Sequence, residues 1–350
     1  MHPRLRTALV CVADHALPRL PVVLHRGARG SMLVAGPERW SRYLPDRFLG
    51  AAARTVERLG TVPVWRLPDV LDRWRPRVDV VVARVDLFSA ARFPATRYLR
   101  VPEWIRMAAP VPAAGAAFPS SQARRSERCA RRHGLTWRIS HDRRDLATFI
   151  ERDYVPYTRL RHGADAHLRS AGWFRGRFRG GGLVWVERGS EPVAGLVYDV
   201  RGRSLRRLAA ACARGDASHL RCGGMSATHL ACFELARSHG CDEVDMRNCR
   251  PCLADGLLHV KHTWGGRIVP PDDLTHDWLV GWHAATPPVM RFLAESPLIV
   301  RHGRGFAAVR AEVPGTRPPD PVAGVEPGFV IRADGGFGDW DPVLAASVHG

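Results

Sequence analysis

Long apolar runs are absent from this chain of 350 residues. Runs such as residues 78–82, broken by Asp79, and 183–186 are strand-sized and fall far short of the roughly 20 residues a membrane-crossing helix needs. A secretory signal is not expected either, because the short apolar stretch 7–13 behind Arg4 and Arg6 stops at Asp14 and His15. The expectation is a cytoplasmic protein without a transmembrane segment, with peripheral membrane contact left open. Eight cysteines, seven of them beyond position 128, lack the density of a disulfide framework, so reduced thiols are expected. Lysine is nearly absent: all but one of the 52 basic residues are arginine.

What remains is enough for a substantial core. Apolar residues make up 45% of the chain, with 11 Trp and 12 Phe, and the length suits one large or two medium domains. The formal charge of +18 is compatible with an anionic partner such as transfer RNA, a nucleotide-linked precursor, coenzyme A or a lipid surface. An Ala-, Gly-, Pro- and Arg-rich coding bias produces the same charge, so the charge itself carries little functional weight.

Short apolar runs at 20–24, 32–34 and 78–85 alternate with Arg-rich stretches of helical spacing such as 51–59, which predicts a mixed N-terminal domain over 1–115. Residues 108–121, AAPVPAAGAAFPSS, read as a linker. Ser121 is placed to cap a helix over 122–133, and a strand is expected at 135–140. Helical spacing over 145–160 meets Pro156, and 157–170 reads as a loop. Three strand-like runs, 182–187, 192–200 and 205–213, are joined by turn sequences and predict an antiparallel meander. A helix over 225–239, a strand over 241–246, a helix over 254–262 and a strand over 267–270 follow. A last helix and strand fit 288–294 and 306–313, and the Pro/Gly-rich tail 314–350 reads as mobile.

Two segments carry the chemistry. Arg221-Cys222-Gly223-Gly224-Met225-Ser226 opens the helix after the meander. Glycines let backbone approach phosphate oxygens, a helix N-terminus presents unpaired N–H groups, and Arg221 adds a charged donor. The same glycines and Ser226 also serve an ordinary turn and cap. The second segment runs from Asp245 through Arg247, Cys249, Arg250, Pro251, Cys252, Asp255, Gly256 and His259 to Lys261, Trp264, Gly265 and Gly266. Lys261 is the only lysine, a compact point charge suited to a phosphate, a carboxylate or an oxyanion. Trp264 reads as packing or as a wall for an acceptor. The pair Cys249 and Cys252 lacks two further ligands at workable spacing, so no metal is expected.

The meander, helix, strand, helix and strand resemble the Gcn5-related N-acetyltransferase (GNAT) superfamily, over residues 121 to about 313. The 221–226 segment approximates its R-x-x-G-x-[GA] pyrophosphate loop, departing at Ser226. The 245–266 segment is similar to the signature of its FemAB-like branch, D-G-x-x-x-x-K-x-x-[WF]-G. The resemblance implies an α+β fold with a mixed, mostly antiparallel sheet flanked by helices. It also admits a tandem duplication with a degenerate copy at 1–115. The implied acyltransferase domain is 116–313.

The resemblance implies acyl-CoA as donor, held at Arg221, Gly223, Gly224, Met225 and Ser226, and acyl transfer to an amino group of a small metabolite, sugar or peptide. Lys261 and Asp245 are the catalytic candidates, with Arg161, His162, Arg250 and Trp264 toward the acceptor. Further candidates for the base are Tyr157, Arg159, Asp165 and His259. The alternative donor is aminoacyl-tRNA, as for a Fem-like peptide ligase on a cell-wall or natural-product precursor. A third reading is a non-catalytic basic RNA-binding module. No metal is implied.

Overall fold

The computed structural model describes residues 19–37, 43–50, 55–163, 166, 168–269, 276–316, 320–331 and 341–342. The apolar stretch 7–13 and Asp165 lie outside the described residues. The chain folds as two compact units, one comprising Met1–Ile105, Cys249–His259 and Ile268–Gly350, the other Arg106–Asn248 and Val260–Arg267. The division is therefore not the expected one at residue 115, and the segment after 267 returns to the first unit.

The first unit begins with the hairpin of β1 (Arg19–Gly27) and β2 (Gly30–Ala35). Helix α1 (Tyr43–Leu49) precedes β3 (Thr55–Pro63), which pairs with the far side of β1. Of the helix expected over 51–59, residues 51–54 lie outside the described residues and 55–59 form part of this strand instead. Residues 55–63 are mostly exposed and form a polar sheet edge, whose backbone bonds to β1 need no buried face. After α2 (Leu67–Trp74), the valine-rich β4 (Val80–Asp86) lies parallel to β2, followed by the short helix α3 (Leu87–Ala90) and β5 (Leu99–Pro102). Both faces of β4 are buried: Val80 and Val82 pack with Phe48 and Trp282, while Val81 and Ala83 pack with Leu67 and Leu71. A strand covered on both sides reads as an unbroken apolar run.

The second unit begins with β6 (Ile105–Pro110), which takes up part of the expected linker. Helix α4 (Ser121–Arg132) is capped by Ser120, one residue earlier than expected. The Ser120 hydroxyl accepts from the Ala123 N–H at 2.9 Å and donates to the Thr263 carbonyl at 2.7 Å. Strand β7 (Leu135–Ser140), α5 (Arg143–Thr148), a π-helical turn (Phe149–Tyr154) and α6 (Val155–His162) follow, so the expected loop at 157–170 begins as helix. Next come α7 (Ala171–Phe178) and the meander β8 (Gly181–Arg188), β9 (Glu191–Arg201) and β10 (Ser204–Cys212). Helices α8 (Ala217–Arg221) and α9 (Gly224–Ser238) lead to β11 (Glu243–Cys249), parallel to β10. Helix α10 (Gly256–Thr263) and β12 (Arg267–Val269) complete the series.

The strands run β6-β11-β10-β9-β8-β7, a mixed and mostly antiparallel sheet. The π-turn and α7 bury Phe149, Tyr154, Phe174 and Phe178 on Leu183, Trp185 and Val197. The expected α+β architecture, with its meander, helix and parallel strand, is what the chain forms.

The returning segment adds β13 (His276–Gly281), which pairs with both β4 and β5. The first-unit sheet thus has the order β3-β1-β2-β4-β13-β5, without the sequential meander of the second unit. Helix α11 (Pro287–Glu295) precedes a second sheet of β14 (Leu298–His302), β15 (Gly305–Ala311), β16 (Glu326–Ile331) and β17 (Asp341–Pro342). The expected mobile tail is corrected at 326–331, which pairs in parallel with β15 and buries Val330 and Ile331.

Candidate active site

Strands β10 and β11 stay paired only at Ser204↔Glu243, Leu205↔Val244 and Arg206↔Asp245. Beyond Arg206, β10 continues to Cys212 bonded, among the described residues, to β9 alone. Its other edge therefore presents unpaired N–H and C=O groups inside the sheet, where a ligand with amide groups would find partners. Residues 206–210 are half-buried, as expected of a strand flanking an opening.

Charged side chains gather where the pairing ends. On β10, Arg206 forms a bidentate pair with Asp199 of β9. Arg177 of α7 lies 4.1 Å over the Trp173 ring. Its pKa is lowered by burial, then by Arg206, with Arg201 and Arg247 adding to the effect against Asp199. On β11, Asp245 is 1% exposed and its carboxylate is already engaged. It accepts the Arg247 N–H at 2.7 Å, faces Arg247 Nη1 at 3.2 Å and pairs with Arg106 Nε at 3.3 Å. Arg247 has φ of +64°, a left-handed conformation rare for a side chain of this size.

Arg207, the first residue past the last pair, takes the opposite side of the strand. Its Nη2 donates to Thr228 Oγ1 at 3.1 Å, and its Nη1 lies 3.0 Å from each ring nitrogen of His229, while its Nε is buried without a partner. No carboxylate pairs with it among the described residues, and burial lowers its pKa. The His229 ring stacks on Trp264 with centroids 4.9 Å apart and planes 2° apart. Burial, then the charges of Arg207 and Lys261, hold its pKa well below the usual histidine value. The imidazole is neutral at pH 7.

Lys261 is 3% exposed. Its Nζ donates to the carbonyls of Arg247 at 2.9 Å and Asn248 at 2.7 Å, so the chain's single lysine fastens the end of β11 beside the opening. Trp264 is buried, packed edge-on against Phe118 with ring centroids 5.1 Å apart. Gly265, at φ +82°, ends α10, and a Cβ on Gly266 would fall 2.7 Å from the Lys261 carbonyl oxygen. The K-x-x-W-G-G run is therefore accounted for by one helix end and its packing.

The 221–226 segment is the junction of α8 and α9. Gly223 takes φ +90° as N-cap, and a Cβ on Gly224 would meet the His219 carbonyl oxygen at 2.9 Å. Both glycines face protein. The groups at this turn suited to an anion are the first-turn N–H groups of α9 and the exposed Arg221. Met225 and Ser226 are half-buried there.

Helix α6 lies over the far end of β10. Gly215 approaches Tyr157 and Leu160, and the Cys212 thiol, pushed up to about 12 mainly by burial, is pulled back by Arg161. Arg159, Arg161 and His162 are exposed.

The second unit thus contains Asp245, Lys261, Trp264, residues 221–226 and the α6 residues. Arg250 and His259 belong to the first unit, where Arg250 lies 4.6 Å over Tyr43 and 4.0 Å over Trp104. Cys249 and Cys252 are buried there as well, and no group of His, Cys, Asp or Glu among the described residues is arranged to hold a metal ion. Arg177, Arg206, Arg207 and His229 were not singled out from sequence. In an Arg-rich chain nothing local distinguishes them, although the alternation along β10 placed Arg206 and Arg207 on opposite faces.

No protein-family model matches the chain, and no curated protein does. Solved structures similar to it include FemX, at 13% identity over 74% of this chain and 83% of that one with a TM-score of 0.39. A GCN5-related N-acetyltransferase from Sphaerobacter thermophilus is similar at 14% identity over 74% of each chain, TM-score 0.35. The L-PGS of Bacillus licheniformis is similar at 10% identity over 77% of this chain and 83% of that one, TM-score 0.37.

Proposed function

We propose that this protein is an acyltransferase that binds an acyl donor along the free edge of β10 and transfers the acyl group to an amine where β10 and β11 meet. The observation that carries the reading is the end of the parallel pairing at Arg206↔Asp245, which leaves a strand edge open within a covered sheet. The proposed donor is acyl-CoA, its amide-bearing arm hydrogen-bonded along residues 207–212 and its phosphates at Arg221 and the start of α9.

Acyl transfer requires a positioned donor, a neutral amine and stabilisation of the carbonyl oxygen as it gains charge. Arg207 is assigned the last role: among the described residues it has no carboxylate partner, and its buried Nε–H has no acceptor. Asp245, with two arginines and a backbone N–H on its oxygens, is assigned to holding Arg247 in place rather than to proton transfer. Lys261 is assigned to fixing the β11 terminus through the carbonyls of Arg247 and Asn248. The acceptor amine is proposed to enter beside Arg177, Arg206 and Arg247, a surrounding that favours an acceptor carrying negative charge.

Isothermal titration with acetyl-CoA and longer acyl-CoAs tests the donor, comparing wild type with Arg221→Ala and Gly224→Pro. Binding weakened in both variants supports the reading. Absence of binding by the wild-type protein rejects acyl-CoA and makes aminoacyl-tRNA the donor to test.

A further inference from the structure

The second unit also carries a cleft of about 250 Å³ between the start of α5 and the end of α7. Its floor is apolar, made by Leu146 and Phe178, both buried. Arg143 from α5 and Arg175 and Arg179 from the α7 end converge on it. All three are exposed and none forms an ion pair among the described residues. The acids nearest in sequence are used elsewhere: Asp142 accepts the Arg144 N–H at 2.7 Å, and Asp145 pairs with Arg138 at 3.4 Å.

The fourth polar group is His141, whose Nδ1 lies 3.0 Å from the Gly181 carbonyl oxygen. This bond leaves Nε2 as the second ring nitrogen. The glycine run 180–182 explains how the imidazole is seated. A Cβ on Gly182 would fall 3.1 Å from His141 Cε1, and one on Gly181 would fall 2.0 Å from the Tyr198 carbonyl oxygen. Side chains at either position would displace the ring or the strand.

We infer that this cleft binds a phosphoryl group, gripped by Arg143, Arg175 and Arg179 with His141 beside it, and that the apolar floor receives the body carrying that group. Guanidinium forks match phosphate oxygens in geometry and charge, and although Arg175 Nε donates to the Ala171 carbonyl at 3.4 Å, none of the three guanidinium groups has a carboxylate partner among the described residues. The ligand is a phosphate ester, whether free in solution or displayed by an anionic lipid. The inference is independent of the acyl-donor reading, because none of these residues belongs to the 221–226 turn or to the β10–β11 opening.

The test uses the full chain and titrates inorganic phosphate and pyrophosphate calorimetrically at low and moderate salt. A triple variant, Arg143→Ser with Arg175→Ser and Arg179→Ser, is compared with a charge-matched control, Arg125→Ser with Arg128→Ser and Arg132→Ser on α4. Flotation with vesicles of anionic phospholipid, against phosphatidylcholine alone, forms the second arm. The expected result is a tenfold or greater loss in the cleft variant and little change in the control. Loss confined to the soluble probes identifies a free phosphate ester, and loss of vesicle binding identifies a lipid phosphate. Equal loss in both variants, no loss in the cleft variant, or no binding to any probe by the wild-type protein overturns the inference.

Discussion

Lys261 and His229 occupy one buried neighbourhood, and each makes a separate prediction. Replacing Lys261 by Met leaves the Arg247 and Asn248 carbonyls without their donor, at a cost of about 1–3 kcal/mol. Chemical denaturation is expected to show that loss, whereas an unchanged midpoint with lost activity would assign the lysine to chemistry instead. For His229, the folded pKa lies well below the unfolded one, near 6.5. Above that pH both states are neutral and the residue adds no pH dependence. As pH falls below it, the unfolded chain gains a proton that the folded one refuses, and stability declines until the folded pKa is reached. Wild type is therefore expected to lose more stability than His229→Gln between pH 7 and 5.5, measured by urea midpoints at both values. Gly224→Ala carries a third expectation. Its Cβ would press on the His219 carbonyl oxygen at 2.9 Å, which lowers the melting temperature and, on the proposed function, weakens acyl-CoA binding as well.

At the scale of elements, the decisive feature is how β10 is used. One edge is bonded to β9 throughout, with a register shift between Arg207 and Ala209, and the other is bonded to β11 only up to Arg206. Hydrogen exchange followed by mass spectrometry should show peptides spanning 207–212 and 223–228 becoming protected on addition of acyl-CoA, while β8 is unchanged. Protection elsewhere, or none in 207–212, would move the donor site away from this edge. Most elements of this unit were legible from local pattern, because each carries its own signal. Strand β7 falls where it was expected, and the meander and α9 fall within a residue or two. Strand β6 was not legible. Its residues 108–110 read as linker because Ala and Pro carry little strand preference, and its place beside β11 is fixed by a neighbour distant in sequence.

At the scale of the whole molecule, the first unit depends on the chain coming back to it. Strand β13 fills the position between β4 and β5, and Val330 and Ile331 of β16 close the core beside β15. A chain ending after residue 313 is therefore expected to melt lower or aggregate, since removal of β16 bares the bonded edge of β15 and takes the buried Val330 and Ile331 away from it. Equal melting of both forms would show the segment to be dispensable. By itself the sequence determined the α+β class, the order of meander, helix and parallel strand, and the two motif segments, because periodicity, glycine turns and spacing are local properties. Tertiary structure alone decided where the parallel pairing stops, that Asp245 is consumed by Arg106 and Arg247, and that Lys261 faces carbonyl oxygens. It also decided which arginines, among so many, stand without a carboxylate. Those outcomes depend on partners far apart in the chain, and a local sequence pattern does not encode such distances.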